Sequence, residues 1–183
     1  MRAAVLTATF VASTLPALAL DLPARTPGLW VMEIAPPPEL AAYNLPPPNL
    51  PATKQCIDAG VDQRLWQRDL GGERDAARIC QAANISISNG TITSEVSCNM
   101  GPISVQTRMV VSGDFTRAYT MRLTSRYQPE GPQAQRVPPG GFEVKTTYRY
   151  VGACEADQRP GDFITGDGRT IHLLDGPKPG DRR

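Results

Sequence analysis

The strongest constraint on the fold of this chain is an alternation of apolar and polar side chains with a period of two residues. From 115 to 127, mainly aromatic and aliphatic residues fall on one side, and threonine and arginine fall on the other. Side chains alternate between the two faces of a β-strand, whereas a helix would scatter these residues around its surface. The pattern recurs in 103–111 and 144–150. It predicts an all-β protein, an antiparallel meander that curves into a half or full barrel.

The clearest turn is Asn89-Gly90, which separates two alternating runs. Asn-Gly is typical of a two-residue type I′ turn, and such a turn pairs Ser88 with Thr91. In that register one face of the hairpin is apolar, and it comprises Ile79, Ala83, Ile85, Ile87, Ile92, Val96, Cys98 and Met100.

The same register leaves Cys80 one residue out of step with Cys98. A three-residue loop with a bulge at Gly90 would instead set the two cysteines directly opposite each other. The two-residue turn and the opposition of Cys80 and Cys98 are compatible if a further bulge lies near the strand ends. Hairpin mouths tolerate bulges, and a disulfide needs its Cα atoms within about 7 Å.

Residues 1–19 are expected to be a signal peptide. Arg2 precedes the apolar stretch 3–18, and small residues end the segment at Ala19, as a signal peptidase requires. A membrane anchor is disfavoured because Pro16 interrupts the stretch, which is shorter than the roughly 20 apolar residues that cross a bilayer. The sequence therefore predicts a periplasmic or secreted protein that keeps no membrane segment after cleavage.

Four cysteines in an exported chain predict two disulfides. No two of them have the close spacing of a zinc site, and the only histidine, His172, lies far along the chain. Four cysteines permit three pairings. The hairpin favours Cys80 with Cys98, and the remaining pair is then Cys56 with Cys154.

The domain predicted over 20–154 begins with a strand at 29–34, which runs into a Pro-rich loop over 35–53. Proline lacks the N–H that a sheet ladder requires, so this loop is expected to be a stiff, unpaired surface segment. A recognition ligand of polyproline type is the alternative. Within the extension 155–183 the sequence predicts a small hairpin around Asp167-Gly168, followed by a mobile tail.

One short helix is predicted within 58–72. Val61, Leu65 and Trp66 share a face there, and Gly71-Gly72 is suited to end the helix.

Charge argues against two classes of partner. Removal of the signal peptide leaves 18 basic and 18 acidic residues, without a long run of either sign. Nucleic acids and anionic membranes favour basic surfaces, so neither is an expected partner. The sequence also contains no pattern that predicts a cofactor or a metal site.

The sequence predicts no enzymatic activity. His172 lies in an alternating run and is expected to be an ordinary strand residue. A Ser/His/Asp triad would need His172 with Asp167 and either Ser112 or Ser125, but the chain has no nucleophile-elbow motif.

The predicted sheet offers two candidate surfaces. Its polar face carries a row of side chains that is most simply interpreted as a solvated face resisting aggregation, namely Arg108, Arg122, Arg126, Arg149, Thr116, Thr120, Thr124 and Thr147. The opposite, aromatic face either binds a ligand inside the curved sheet or fills the core. Its candidate ligand-facing residues are Trp30, Tyr119, Tyr127, Tyr148 and Tyr150.

Several short motifs in fixed order carry a family resemblance. "PGLW" follows the signal segment, a cysteine follows a Pro-rich loop, and then come a cysteine-bounded hairpin, "VVSGDFTRAYTMRL" and a closing "YRYVGAC". From Pro27 to Cys154 the chain resembles the bacterial family designated domain of unknown function 3617. The resemblance implies an exported, periplasmic location and brings no established activity. The long Pro-rich loop and the extension after Cys154 depart from the family pattern.

Three functions follow as hypotheses. The favoured one is an envelope binding or interaction module with an unknown envelope protein as partner, and the alternatives are a carrier of a small apolar ligand or lipid, and a hydrolase. An interior emptied of side chains favours the carrier. A filled core with an exposed apolar patch or a free strand edge favours the interaction module. Clustering of His172 with a serine and a carboxylate favours the hydrolase.

Overall fold

The computed structural model describes residues 21–36, 51–71, 78–131 and 140–175. The predicted signal peptide, most of the Pro-rich loop and the C-terminal tail lie outside the described residues. In chain order the elements are β1 (Gly28–Ala35), β2 (Thr53–Ile57), α1 (Ala59–Gly71), β3 (Asn84–Ser88), β4 (Thr91–Asn99), β5 (Ile103–Asp114), β6 (Ala118–Pro129), β7 (Gly140–Gly152), β8 (Asp162–Ile164) and β9 (Thr170–His172).

The nine strands form one antiparallel sheet in the order β3-β4-β5-β6-β7-β1-β2-β8-β9. The strands from β3 to β7 form a meander, and β1 then inserts between β7 and β2. The prediction of an all-β antiparallel fold with one short helix is confirmed. Among the described strands the sheet does not close, so β3 and β9 are its two edges and the structure has the half-barrel form.

The Asn89-Gly90 turn fixes the register of the first hairpin. Asn89 and Gly90 both have positive φ, 49° and 71°, as a type I′ turn requires. Ser88 pairs with Thr91, as predicted. This register persists along the hairpin to Asn84, which pairs with Glu95.

At the mouth of the hairpin the register shifts by one residue, and Cys80 pairs with Cys98. Backbone hydrogen bonds flank that pair, from Gln81 N to the Ser97 oxygen at 2.8 Å and from Asn99 N to the Ile79 oxygen at 2.6 Å. The irregularity predicted at the strand ends therefore reconciles the turn with the disulfide.

Helix α1 begins behind a cap at Asp58, whose Oδ1 accepts a hydrogen bond from Val61 N at 2.7 Å. The helix buries one face completely. Val61, Leu65, Trp66 and Leu70 are each at most 2% exposed. The predicted helix is therefore present. Its buried face contains the three predicted residues and also Leu70.

The sheet curls around α1. Near one edge, Ser94 Oγ on β4 donates to the Leu70 oxygen at 3.0 Å, and just beyond the other, Arg68 Nη1 donates to the Leu173 oxygen at 3.3 Å. Strands β4 and β9 are seven positions apart in the sheet, which is about 34 Å at about 4.8 Å per strand in a flat sheet. A helix is only about 10–12 Å across. One helix can reach both sides only if the sheet bends around it.

The two disulfides are Cys56–Cys154 and Cys80–Cys98, the same pairs that the sequence predicts. Their Cα separations are 5.5 and 3.9 Å. Cys56 lies on β2 and Cys154 lies just after β7, so the first disulfide spans β1, the strand between them. Residues 162–172 form the β8–β9 hairpin, which extends the sheet beyond β2. Within the described residues, no helix is long and apolar enough to cross a membrane.

Removal of the Cys56–Cys154 disulfide is expected to cost more stability than removal of Cys80–Cys98. The two bonds close loops of 98 and 18 residues, which correspond to about 4.7 and about 3 kcal/mol of loop-closure entropy. Urea unfolding of the two double alanine variants measures the difference. Equal losses, or a greater loss for the hairpin disulfide, would contradict this assignment.

Candidate functional site

The aromatic face of the sheet meets α1 along most of the buried core. The Trp66 ring of the helix lies 5.9 Å from the Phe115 ring and 6.0 Å from the Tyr119 ring, measured between centroids. Trp30 on β1 lies 5.5 Å from Tyr119 in turn. These side chains belong to one contiguous apolar cluster that includes Leu65 of the helix. The interior of the half-barrel is therefore occupied by the helix.

The structure divides the candidate ligand-facing residues into two groups. Trp30, Tyr119 and Tyr148 are buried, with exposed fractions of 1%, 3% and 8%, and Tyr150 packs edge-on against Trp30 at 5.7 Å. Tyr119 and Tyr148 stack with centroids 4.4 Å apart and ring planes 8° apart. Tyr127 points to the same side of β6 but lies eight residues from Tyr119, about 26 Å along an extended strand. Four of the five thus meet in the core beneath α1, and Tyr127 is remote from them.

A buried ion pair ties the N-terminal segment to α1. Arg25 is 5% exposed and Asp62 is 4% exposed. Arg25 Nε pairs with Asp62 Oδ1, and the backbone N–H of Arg25 donates to Asp62 Oδ2 at 2.9 Å. Arg25 Nη1 donates to the hydroxyl of Tyr119 at 2.8 Å, and its guanidinium lies 4.7 Å from the centroid of Trp66. One arginine thus joins the segment before β1, the helix and the sheet.

Sequence reasoning missed this network, although one signal was available. Asp62 lies three and four residues before Leu65 and Trp66, so it shares the apolar face of α1. A carboxylate on such a face requires a buried partner. The pattern did not identify Arg25, which is 37 residues away in the chain.

Burial changes the proton affinity of the groups around this pair. Burial alone would lower the pKa of Arg25, but Tyr119 and Asp62 raise it above its ordinary value, so the cation is retained. Burial raises the pKa of Tyr119 to about 12, against the opposing effect of Arg25. Burial and the neighbouring Tyr119 also raise the pKa of Tyr148. The core therefore contains two tyrosine hydroxyls that stay protonated in the folded chain at a pH where an exposed tyrosine is already ionised.

Most arginines of the polar face have acidic partners on neighbouring strands. Arg108 Nε lies 3.5 Å from Glu95 Oε1, and Arg149 Nη2 lies 3.8 Å from Glu33 Oε1. Arg122 pairs with Glu143. These pairs are largely exposed to solvent, where an ion pair contributes about 0–1 kcal/mol. This part of the polar face is exposed, as the simplest interpretation of the sequence expects, and its charges are paired, which that interpretation did not include.

Arg126 differs from these three arginines, because it forms no ion pair with the described residues. It lies where two open depressions of about 630 and 610 Å³ meet on the polar face. Both depressions are also lined by Gln106, Thr124 and Glu143. The surface offers hydrogen-bond donors and acceptors and side chains of both charges. Among the described residues that line it, no nucleophile is hydrogen-bonded to a histidine.

Two carboxylates lie close to the His172 ring. Its Nδ1 lies 3.0 Å from Asp162 Oδ1, and its Nε2 lies 3.8 Å from Asp175 Oδ1. Burial would raise the pKa of Asp162, but hydrogen bonds from the Arg159 N–H and His172 outweigh it and lower the pKa below its ordinary value. The arrangement joins the β8–β9 hairpin to the loop before it.

The catalytic triad that the sequence permitted is not formed. Asp167 hydrogen-bonds to Thr165 and Arg169, and Ser125 Oγ lies 3.4 Å from Thr107 Oγ1. Neither of these residues nor Ser112 hydrogen-bonds to the His172 ring, whose hydrogen-bond partner among the described residues is Asp162. Among the described residues, no group of three or more His, Cys, Asp or Glu side chains is placed to hold a metal ion.

A third surface lies where the half-barrel ends at β3. An open depression of about 740 Å³ is lined by α1 and by the segment before β1, and it reaches Ile85 on β3. The lining is mixed. Its larger apolar residues are Leu22, Trp66, Leu70 and Ile85, and its polar residues are Asp21, Asp62, Gln63 and Gln67. No described segment pairs with the outer side of β3. A strand edge and a partly apolar depression are thus adjacent here.

These features define a class of protein: a disulfide-linked antiparallel half-barrel filled by a single helix. The chain belongs to the family of proteins of unknown function DUF3617, whose family model matches residues 25–154. The matched range begins at Arg25 of the buried ion pair and ends at Cys154 of the longer disulfide. Comparison with curated proteins and with solved structures found no match.

Loss of the Asp62 carboxylate is expected to destabilise the fold strongly. An Asp62→Ala variant leaves the Arg25 charge buried without its partner, which costs about 3–5 kcal/mol in free energy of unfolding. The matched control is Glu33→Ala, whose exposed pair with Arg149 is expected to contribute less than about 1 kcal/mol. Urea unfolding measures both values. Equal effects would show that the Arg25–Asp62 pair does not hold the core.

Stability is expected to fall as the pH rises from about 10 to about 12. An unfolded tyrosine ionises near pH 10, whereas Tyr119 in the folded chain ionises at about 12. Between these two pH values the folded state holds a proton on Tyr119 that the unfolded state releases. The stability that Tyr119 contributes is therefore complete below pH 10 and is lost as the pH rises through 12. Tyrosinate absorbance and circular dichroism measure ionisation and unfolding together. Tyr119→Phe is expected to weaken the pH dependence, and ionisation of all five tyrosines near pH 10 in a folded chain would contradict it.

Proposed function

We propose that this chain is a non-enzymatic interaction module of the bacterial envelope, and that it recognises a polypeptide. The observation that carries the proposal is the occupied half-barrel. Trp66 and Leu65 of α1 take the space that a lipid or other apolar ligand would need, and both are at most 2% exposed. The exposed surface includes a strand edge beside an open depression, which suits a polypeptide partner.

The carrier alternative requires α1 to leave the half-barrel. That movement would expose the Trp66 side chain and break the Arg25–Asp62 pair, which joins α1 to the segment before β1. Exposing a large apolar side chain costs about 1.5–3 kcal/mol, and separating a buried ion pair adds to that cost. A ligand would have to supply this free energy before any gain in affinity.

An enzymatic function is disfavoured by the surroundings of the sole histidine. His172 Nδ1 hydrogen-bonds to Asp162, and no hydroxyl or thiol of the described residues is among the hydrogen-bond partners of this imidazole. A general base must be within reach of a nucleophile or a bound water. The geometry of this imidazole suits a structural role in the β8–β9 hairpin.

The expected compartment is the periplasm or the cell exterior. Two disulfides in a chain of this size are stable in an oxidising compartment. The predicted signal peptide and the resemblance to an exported family support the same location. The equal numbers of acidic and basic residues after cleavage support neither a nucleic acid nor an anionic membrane as the partner.

Native mass spectrometry of the protein purified from the periplasm of its own host tests the proposal. The expected species is the chain that begins after Ala19, with both disulfides formed, in complex with a polypeptide. A stoichiometric lipid in place of the polypeptide would establish the carrier alternative. A Leu65→Ala variant distinguishes the two further, because it weakens the packing of α1 against the sheet. A carrier whose helix must leave would then take up lipid more readily, whereas an interaction module would keep its polypeptide partner.

A further inference from the structure

We infer that β3 binds an extended peptide segment of a partner protein as a tenth strand of the sheet. One apolar side chain of that segment would enter the depression between β3 and α1. This inference rests on the proposed function, because it names the surface and the chemistry by which a polypeptide is recognised. Hydrogen bonds to the backbone of the peptide would supply affinity, and the contact with one apolar side chain would supply specificity.

The backbone of β3 offers hydrogen-bonding groups on its outer side. Beside a two-residue turn the first pair, Ser88 with Thr91, is hydrogen-bonded, and such pairs alternate along the ladder. The pairs of Ile87 with Ile92 and of Ile85 with Ser94 are therefore of the non-bonded kind. Ile85 and Ile87 consequently direct both N–H and C=O groups away from β4. Within the described residues no strand pairs with them.

The β3 edge also lacks the features that usually prevent strand addition. Residues 79–94 contain no charged side chain and no proline, although charged residues make up 20% of the chain. Ile87 is 37% exposed. Lysine, proline and inward charges are the devices by which natural sheets keep their edges unpaired.

The other edge of the same sheet is protected. Strand β9 has three residues, and ion pairs surround it, between Arg169 and Asp167 and between Arg159 and Asp175. A short edge with charged flanks is a poor template for a further strand. The contrast points to a binding role for β3, because both edges belong to one chain and face the same solvent.

The depression next to β3 provides side-chain selectivity. A residue placed opposite Ile85 on an added strand shares its face of the sheet. Ile85 packs against the core cluster and lines the 740 Å³ depression with Leu22, Trp66 and Leu70. An apolar side chain at that position would therefore contact the helix, and its neighbours along the added strand would point away. The preferred ligand is an extended segment with an aliphatic residue at this one position.

Amide hydrogen exchange with a defined peptide tests the inference. The probe is a short blocked peptide in which valine alternates with threonine between two terminal lysines. In the free protein the amides of Ile85 and Ile87 are expected to exchange as unprotected groups. Saturating peptide is expected to slow both by about ten-fold or more, without slowing residues of the polar face such as Arg126. A control peptide with proline in place of the central threonine is expected to have no such effect.

Two variants of one residue separate the backbone contact from the side chain. Ile87→Pro removes an outward N–H but no bond to β4, so the hairpin should fold, with an about ten-fold loss of peptide affinity that matches one hydrogen bond. Ile87→Thr keeps the N–H and is expected to bind the peptide within about two-fold of the wild-type affinity. One peptide valine lies opposite Ile85 and enters the depression. Replacing that valine by alanine is expected to weaken binding by about ten-fold, because about two methylene-sized groups leave the depression.

Three results would overturn the inference: no slowing at Ile85 and Ile87 with peptide, equal affinities of Ile87→Pro and wild type, or concentration-dependent protection of the free protein with a doubled mass. The last result would assign the edge to a second copy of this chain. If the periplasmic protein carries a polypeptide whose binding protects Arg126 and Thr124 instead of β3, the proposed function stands and this inference fails. If it carries a lipid and no peptide binds, both fail.

Discussion

The fold depends on the contact between α1 and the inner face of the sheet. A helix of 13 residues is too short to be stable alone in water, and a curved sheet with an aromatic inner face needs something to cover it. Each element therefore satisfies the requirement of the other. Trp66 is at the centre of this contact, since it meets Phe115, Tyr119 and the guanidinium of Arg25. The curvature of the sheet, the burial of the aromatic residues and the open edge at β3 all follow from it.

Covalent bonds then hold the curled sheet at two places. Cys56–Cys154 joins β2 to the end of β7 across β1, and Cys80–Cys98 closes the mouth of the β3–β4 hairpin. The second bond lies at the open edge of the half-barrel and joins the segment just before β3 to β4 covalently, so the edge is held in place although no described strand pairs with its outer side. A fixed, uncharged edge is suited to binding, because little order is lost when a partner strand is added.

Local chemistry made much of this fold predictable. Alternation gave the long strands, Asn89-Gly90 gave the hairpin and its register, and the face shared by Val61 and Leu65 gave the helix. The Arg25–Asp62 pair, the position of β1 between β7 and β2, and the seating of the helix inside the sheet depend on contacts distant in sequence, which no local pattern encodes. The aromatic face was predictable as a set of residues, but whether a ligand or a helix covers it was not, because both demand the same apolar side chains.

The seating of α1 can be measured most directly by acrylamide quenching of tryptophan fluorescence. The chain has two tryptophans, and both Trp30 and Trp66 lie in the cluster that α1 forms with the sheet, at most 2% exposed. With α1 seated in the half-barrel, tryptophan emission is expected to lie to the blue of free tryptophan. Acrylamide quenching is expected to be at least several-fold weaker than for free tryptophan until the protein unfolds. Quenching at the rate of free tryptophan in a protein that keeps its β circular dichroism would contradict it, because the helix would then lie outside the half-barrel.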